Sequence, residues 1–309
     1  MPARLILNAD DFGLTPGINR AIAELHVAGV LTSTTLMANG PAFDDAVRIA
    51  HSLPTLGVGC HIVLTDGVPV SHPESIPSLL GGDGKSFRPS LLDFLQALAR
   101  GRIVEDEVER EATAQVQKLQ RAGIDVTHLD THKHAHIFPS IARPLLHLAE
   151  RTGVGAIRNP FEQPWSLDLG GNLLRRLAVD ITSRALHAAF ESQPAIRAAS
   201  VLTPDATIGI SATGRLIAPT LAAILRALPP TGVFELCCHP GYNDRDLDPI
   251  ATRLRDQRVI ERRALLLEVP EVLAHADPPE LIHYGNLGVF GALRASGQFT
   301  PNTGYEPIL

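Results

Sequence analysis

Short apolar runs rich in Val, Ile and Leu recur along this chain, separated by longer segments with helical spacing of their apolar residues. A chain written this way builds repeated strand and helix units, because each parallel strand needs a crossover before the next can lie beside it. The runs are Arg4 to Asp10, Leu31 to Asn39, Val58 to Thr65, Thr127 to His132, Gly155 to Asn159, Thr207 to Ser211, Val233 to His239 and Leu281 to Tyr284. The expectation is an α/β protein, a distorted (β/α) barrel of about seven parallel strands with long βα insertions. On this reading residues 1–309 form a single barrel domain.

Helix ends are marked between the runs. Thr15 before Pro16 reads as an N-cap followed by proline in the first turn, and Gly29, Gly101, Gly123 and Gly153 each follow a periodic segment. From Ile103 to Ala122 an apolar or small stripe of Val104, Val108, Ala112, Val116 and Leu119 lies above a Glu-rich face, which predicts a helix packed outside the barrel. Two stretches, 66–89 and 161–206, exceed the usual connection of about two to six residues and are expected to cap a site. The second holds a predicted helix, Gly171 to Phe190, whose Leu174, Leu177 and Ile181 sit beside Arg175, Arg176 and Arg184. It reads as a lid or a homodimer face rather than a lipid-contacting surface. The turn-rich end from 298 reads as a loosely held tail.

Composition removes several function classes. The net charge is -6 and no Lys/Arg run follows one face, which argues against nucleic-acid binding. The start, MPARLILNADDFG, lacks the features of a secretory signal, and no uncharged apolar run approaches the roughly 20 residues of a bilayer span. Three cysteines, Cys60, Cys237 and Cys238, make neither a disulfide framework nor a Cys-x-x-Cys site, which fits a reducing compartment and a cytoplasmic protein. Gly153-Val154-Gly155 and Gly81-Gly82-Asp83-Gly84 lack the spacing of a dinucleotide fingerprint or phosphate loop, and no Gly-x-Ser-x-Gly elbow is present.

Catalytic groups in barrels lie at the C-terminal ends of the strands, and four runs end in polar residues. The first closes on Asn8-Ala9-Asp10-Asp11-Phe12-Gly13. In a regular strand Asp10 and Asp11 would point to opposite faces, so one site can use both only where the strand bends, which Gly13 permits. One carboxylate could then hold a cation and the other act as a general base. The alternative is that the pair caps the helix starting near Pro16. His61 interrupts the otherwise apolar third run. His128, His132, His134 and His136 fall within nine residues, too many imidazoles for core packing, since each buried ring needs a polar partner. If that segment stays extended, Asp130, His132, His134 and His136 share one face, and local geometry does not choose the ligand. Cys60 and Cys238 should face the core, and Cys237, which could lie beneath His239 on the interior face, reads as packing because no base or helix N-terminus is evident to activate it.

In order, over about residues 4 to 245, these segments and Cys238-His239-Pro240 resemble the YdjC-like carbohydrate deacetylases. That group includes chitooligosaccharide deacetylase and a hopanoid-biosynthesis-associated branch. The resemblance implies a metal-dependent hydrolase that removes an acetyl group from an N-acetylated sugar or related amide. It implies Asp11, His61 and His132 as ligands of one divalent metal ion, Mg2+ or Zn2+, Asp10 as the base and His239 as the acid. Arg158-Asn159-Pro160 is similar to the arginine before a proline with which more distant polysaccharide deacetylases hold their base. His134 and Tyr242 are candidates to bind or orient a small-molecule or oligosaccharide substrate. The alternatives are another metal-dependent amidohydrolase or isomerase on the same barrel, or a non-catalytic protein that binds metal or sugar.

Overall fold

Side chains alternate across a strand, so each apolar run must serve two environments at once. The computed structural model describes residues 2–170 and 186–288. Its strands are β1 (Arg4–Phe12), β2 (Ser33–Leu36), β3 (Gly57–Ile62), β4 (Val126–Thr131), β5 (Ala206–Ile208), β6 (Val233–Cys238) and β7 (Glu280–Ile282). They pair in parallel in the order β4-β3-β2-β1-β6-β5. β7 lies along the first half of β1, with Arg4 to Ile6 opposite Glu280 to Ile282, while β2 pairs from Asn8 onward. The expected strand Gly155 to Asn159 reduces to two bridges, Leu129 with Ile157 and Ala156 with Leu202, which link the edge of β4 to the approach to β5. The result is the expected distorted barrel of seven parallel strands.

The helices α1 (Pro16–Val27), α2 (Phe43–Ser52), α3 (Leu91–Ala99), α4 (Glu105–Arg121), α5 (Pro139–Thr152) and α6 (Pro164–Gly170) follow in chain order, with later helices at Ala218–Arg226 and Asp256–Leu273. Outward-pointing Leu5, Leu7 and Ala9 of β1, Val58, Cys60 and Ile62 of β3, and Phe234, Leu236 and Cys238 of β6 share one buried apolar cluster with helix residues such as Ile22, Val116 and Leu265. A second, small cluster of Ile6, Ala156, Val233, Ile282, Tyr284 and Leu287 forms the floor of the barrel. Above that floor the inward positions turn polar: Asn8 and Asp10 on β1, His128 and Asp130 on β4, Glu235 on β6, all buried. The interior therefore changes from apolar to ionic along the strand direction, toward the end where a site is expected.

Local caps act as the sequence suggests. The Thr15 side chain accepts from the Ile18 N–H at 3.2 Å, so Asp10 and Asp11 are free of the capping role. The stripe on α4 is buried as expected at Val108, Ala112, Val116 and Leu119, but Val104 is exposed and Glu111 and Gln115 are fully buried. These two polar side chains organise the insertion after β3: Gln115 bonds both the N–H and the carbonyl of Val63, and Glu111 accepts from the N–H groups of Val70 and Ser71. The predicted helix Gly171 to Phe190 lies largely outside the described residues, and the tail from 298 wholly so. Among the described residues no helix is long and apolar enough to cross a membrane.

Candidate active site

Two adjacent carboxylates reach one site because β1 breaks its own alternation. The pairing of β1 with β2 shifts register between Ala9 and Phe12, Asp11 has a left-handed φ of 68°, and Gly13 follows at 89°. Asp10 thus keeps the inward direction of Asn8, and the bend turns Asp11 into the barrel mouth beside it. A non-glycine residue in this region costs of order 1–3 kcal/mol and is typically held there by its surroundings. Here the side chain is held by Arg258, whose Nη2 donates to Asp11 Oδ2 at 2.6 Å.

The other oxygen of Asp11 faces two imidazoles. Its Oδ1 lies 3.6 Å from His61 Nε2 and 3.4 Å from His132 Nδ1, and the two nitrogens are 3.3 Å apart. Asp11 Oδ1 is buried and has no hydrogen-bond partner. A triangle of two nitrogens and a carboxylate oxygen at these separations, with an orphaned anionic oxygen at one corner, fits a divalent cation and leaves positions open. Behind it, His61 Nδ1 meets Asp130 Oδ1 at 2.7 Å, which places the ring proton on Nδ1 and turns the Nε2 lone pair toward the triangle. Burial disfavours a charged His61, but Asp130 above all, then Asp10 and Asp11, raise its pKa to about 9.

Asp10 stands outside the triangle in a different setting. Arg158, fully buried, donates Nη1 to Asp10 Oδ2 at 2.9 Å and Nη2 to Asp10 Oδ1 at 2.6 Å. The same guanidinium reaches Asp130 Oδ2 at 2.6 Å and, through Nε, Glu235 Oε1 at 2.9 Å. Glu235 is itself held by the hydroxyls of Thr207 and Tyr284. Burial works against ionisation of Asp10, but Arg158, then His61 and His239, outweigh it and hold the carboxyl well below the usual range. For Glu235 burial wins and its pKa is raised despite Arg158. One cation thus couples the Asp10 carboxylate to the carboxylate that orients His61.

On the far side of Asp10, His239 Nε2 is 3.8 Å from Asp10 Oδ2. Its backbone N–H donates to Glu261 Oε2 at 2.6 Å, which fixes the strand end as it leaves β6. The structure therefore brings Asp10, Asp11, His61, His132, His239 and Arg158 together. Tyr242 sits elsewhere in its contacts: its hydroxyl donates to Glu24, and Arg20 and Arg262 lie over its ring.

The histidine run departs from the extended form considered above. β4 stops at Thr131, and His132 to Ile137 make a tight turn with left-handed Lys133 and His134, at φ of 59° and 53°. Lys133 pairs with Asp66 across the mouth. This turn separates residues that an extended strand would align: Asp130 stays within the barrel, His132 joins the triangle, and His136 turns to Thr131 Oγ1 at 2.7 Å. Burial, reinforced by Arg158, pushes the His134 pKa down to about 3. Glu235, Arg258 and Glu261 escaped the sequence reading as site residues, and Asp130 entered it only as one of four residues sharing a face. On the helix Asp256–Leu273, Arg258 and Glu261 are buried while Ile260 and Leu267 face solvent, the reverse of ordinary patterning.

The profile of the YdjC-like protein family matches residues 4–272, which span every strand-end group just described. The chain belongs to the YdjC-like family. A carbohydrate deacetylase of Brevibacillus brevis is 33% identical over 285 residues, covering 92% of this chain and all of the relative. A carbohydrate deacetylase of Listeria monocytogenes is 43% identical over 157 residues, 50% of this chain and 61% of the relative. Among solved structures, an Enterococcus faecalis protein assigned to cellobiose-phosphate cleavage superposes with a TM-score of 0.73 at 26% identity, covering 93% of this chain and 99% of that one.

Proposed function

We propose that this YdjC-like chain is a metal-dependent hydrolase that removes the acetyl group from an N-acetylated sugar, free or in a short oligosaccharide. Asp11, His61 and His132 would hold one divalent cation. Two imidazoles and a carboxylate match zinc by ligand type, whereas magnesium prefers oxygen donors, so zinc and magnesium are the two ions to test. The observation that carries the reading is the separation of duties between neighbours: Asp11 faces the imidazole triangle, while Asp10, held ionised by Arg158, is left over beside His239. A binding protein has no use for that second carboxylate. The names of the relatives support the sugar amide as substrate.

A bound cation supplies a polarised amide carbonyl and acidified water at the triangle. Asp10 then accepts the water proton, and Arg158 keeps both of its oxygens aligned for that transfer. His239 Nε2, next to Asp10, donates a proton to the departing nitrogen as the C–N bond breaks. Asp130 holds the His61 ring, and we take His134, half-buried on the turn after β4, as a candidate contact to the substrate. All three cysteines are free and buried, which supports a reducing, cytoplasmic setting.

The test is acetate release from a panel of N-acetylated mono- and oligosaccharides by wild type and Asp10→Asn. The variant should bind one metal per chain as wild type does and lose at least about 10²-fold in turnover, the lower end of what a general base contributes. Full turnover in Asp10→Asn would remove Asp10 as the base, and no acetate from any sugar would refute the deacetylase reading.

A further inference from the structure

Cys237 has no part in the chemistry above, yet among the described cysteines it is the one that leaves the outer core. Cys60 and Cys238 belong to the apolar cluster under the helices. Cys237 instead points into the barrel, and its Sγ donates to Asp10 Oδ2 at 3.4 Å. A ring nitrogen of His134 completes a group in which the ligand atoms of Asp10, His134 and Cys237 all lie within 4.8 Å of one another. His134 Nδ1 is enclosed and has no hydrogen-bond partner. This group has a sulfur, a nitrogen and an oxygen donor, whereas the Asp11, His61 and His132 triangle has no sulfur.

We propose that Asp10, His134 and Cys237 form a second cation site, selective for soft divalent ions such as zinc and cadmium, and that filling it inhibits the enzyme by capturing Asp10. Thiolate ligands select zinc-like ions over magnesium or calcium. Binding replaces the S–H bond of Cys237 by a sulfur–metal bond and releases that proton to solvent, with no change of oxidation state. Three carboxylates, Asp10, Asp130 and Glu235, converge on Arg158 beside the site. Donor atoms around a tetrahedral zinc stand roughly 3.3–3.8 Å apart, so closing this group asks for a movement of up to about 1.5 Å. The His134 end can supply it, since that residue sits half-buried on the exposed turn after β4. Once coordinated, an Asp10 oxygen no longer takes a proton. Inhibition, unlike binding, rests on the reading of Asp10 as the base.

The site is tested with cadmium on the full, metal-free chain, by the ultraviolet charge-transfer absorption of a cadmium–thiolate bond. The expected result is a band that saturates at one thiolate per chain and disappears in Cys237→Ser, which keeps a hydrogen-bond donor to Asp10. His134→Gln, a second variant should the first fold poorly, is expected to weaken cadmium binding at this site at least about tenfold. In the deacetylation assay, zinc or cadmium beyond one equivalent should inhibit wild type, and Cys237→Ser should need at least about tenfold more metal for the same inhibition. No band, or a band that persists in Cys237→Ser, overturns the site. Equal inhibition of wild type and Cys237→Ser overturns the inhibitory mechanism. A Cys237-dependent band in protein that releases no acetate supports the site while the hydrolase reading falls.

Discussion

Replacing Arg158 by lysine keeps the positive charge and removes the fork, which makes it a sharp probe of how the site is held. Arg158 uses three separate nitrogens: Nε toward Glu235, Nη2 toward Asp10 Oδ1, and Nη1 shared between Asp10 Oδ2 and Asp130. One ammonium cannot occupy those three places, so at least two charge-assisted hydrogen bonds are lost, at about 1.5–3 kcal/mol each, or about 3–6 kcal/mol together. For a chain of this size that corresponds to a fall in Tm of at least roughly 5 °C. Asp10 also loses its two-point alignment, and misplacement of a reacting group by an ångström can cost about 10²-fold in rate. The pH dependence follows from the cause of the shift. Burial alone would raise Asp10 above its ordinary 3.8, and Arg158 is the main force holding it down. A carboxylate with a depressed folded pKa contributes stability that is full above the unfolded value and is lost as pH falls through the folded one. The gap in stability between wild type and Arg158→Lys should therefore be widest at neutral pH and narrow in acid, while the acid limb of kcat/KM moves to higher pH in the variant. Thermal melts across pH and acetate-release kinetics measure both. A variant within about 3 °C of wild-type Tm and about threefold in kcat would refute the claim that the fork positions the base.

His61, raised to about 9 in the metal-free protein, should carry a proton at neutral pH, so uptake of a cation by the triangle should release about one proton and tighten roughly tenfold per pH unit up to about pH 9. The same raised group stabilises the metal-free fold fully below about 6.5 and loses that contribution as pH rises through about 9; calorimetric titration in buffers of different ionisation enthalpy reads the proton count. His239→Ala should bind metal normally and slow an amide substrate more than an activated aryl ester, whose oxygen departs without protonation; equal slowing of both would reassign His239 to positioning. Gly59→Ala would bring a Cβ within 2.4 Å of His128 Cε1, and that ring is pinned against Tyr284 at a centroid distance of 3.7 Å. Overpacking there should cost about 1–3 kcal/mol in urea unfolding, with an unchanged m-value.

The barrel was legible because parallel strands buried on both faces announce themselves as apolar runs, and the site was legible where those runs end in residues no core would accept: Asp10 and Asp11, His132, His239. The doubled carboxylate even foretold the bend that Asp11 makes. What could not be read was anything set by long-range closure. Glu235 lies inside an ordinary run, Val233-Phe234-Glu235-Leu236, and only the position of Arg158 across the barrel explains it. Arg258 and Glu261 come from a helix whose register against β1 and β6 is a tertiary fact. The turn after Thr131 rests on left-handed Lys133 and His134, which no glycine betrays. Tyr242 shows the converse limit: it lies close to His239 in sequence, but nothing in the sequence announces that its hydroxyl donates to Glu24.

The pairing of β1 with β6, Arg4 opposite Val233 through Ala9 opposite Cys238, has a consequence for how the chain is made. At about 5–20 residues per second, the first strand leaves the ribosome roughly 10–45 s before the strand that will cover its other edge. For that interval β1 has an unprotected edge on a strongly apolar segment, the situation that invites pairing with another chain. Asn8, Asp10 and Asp11 interrupt that segment with amide and charge, and early in that interval they are solvated in the nascent chain, before Arg158 or Arg258 is synthesised. The carboxylates that later serve the barrel mouth are thus well placed, before any barrel exists, to keep its earliest strand soluble.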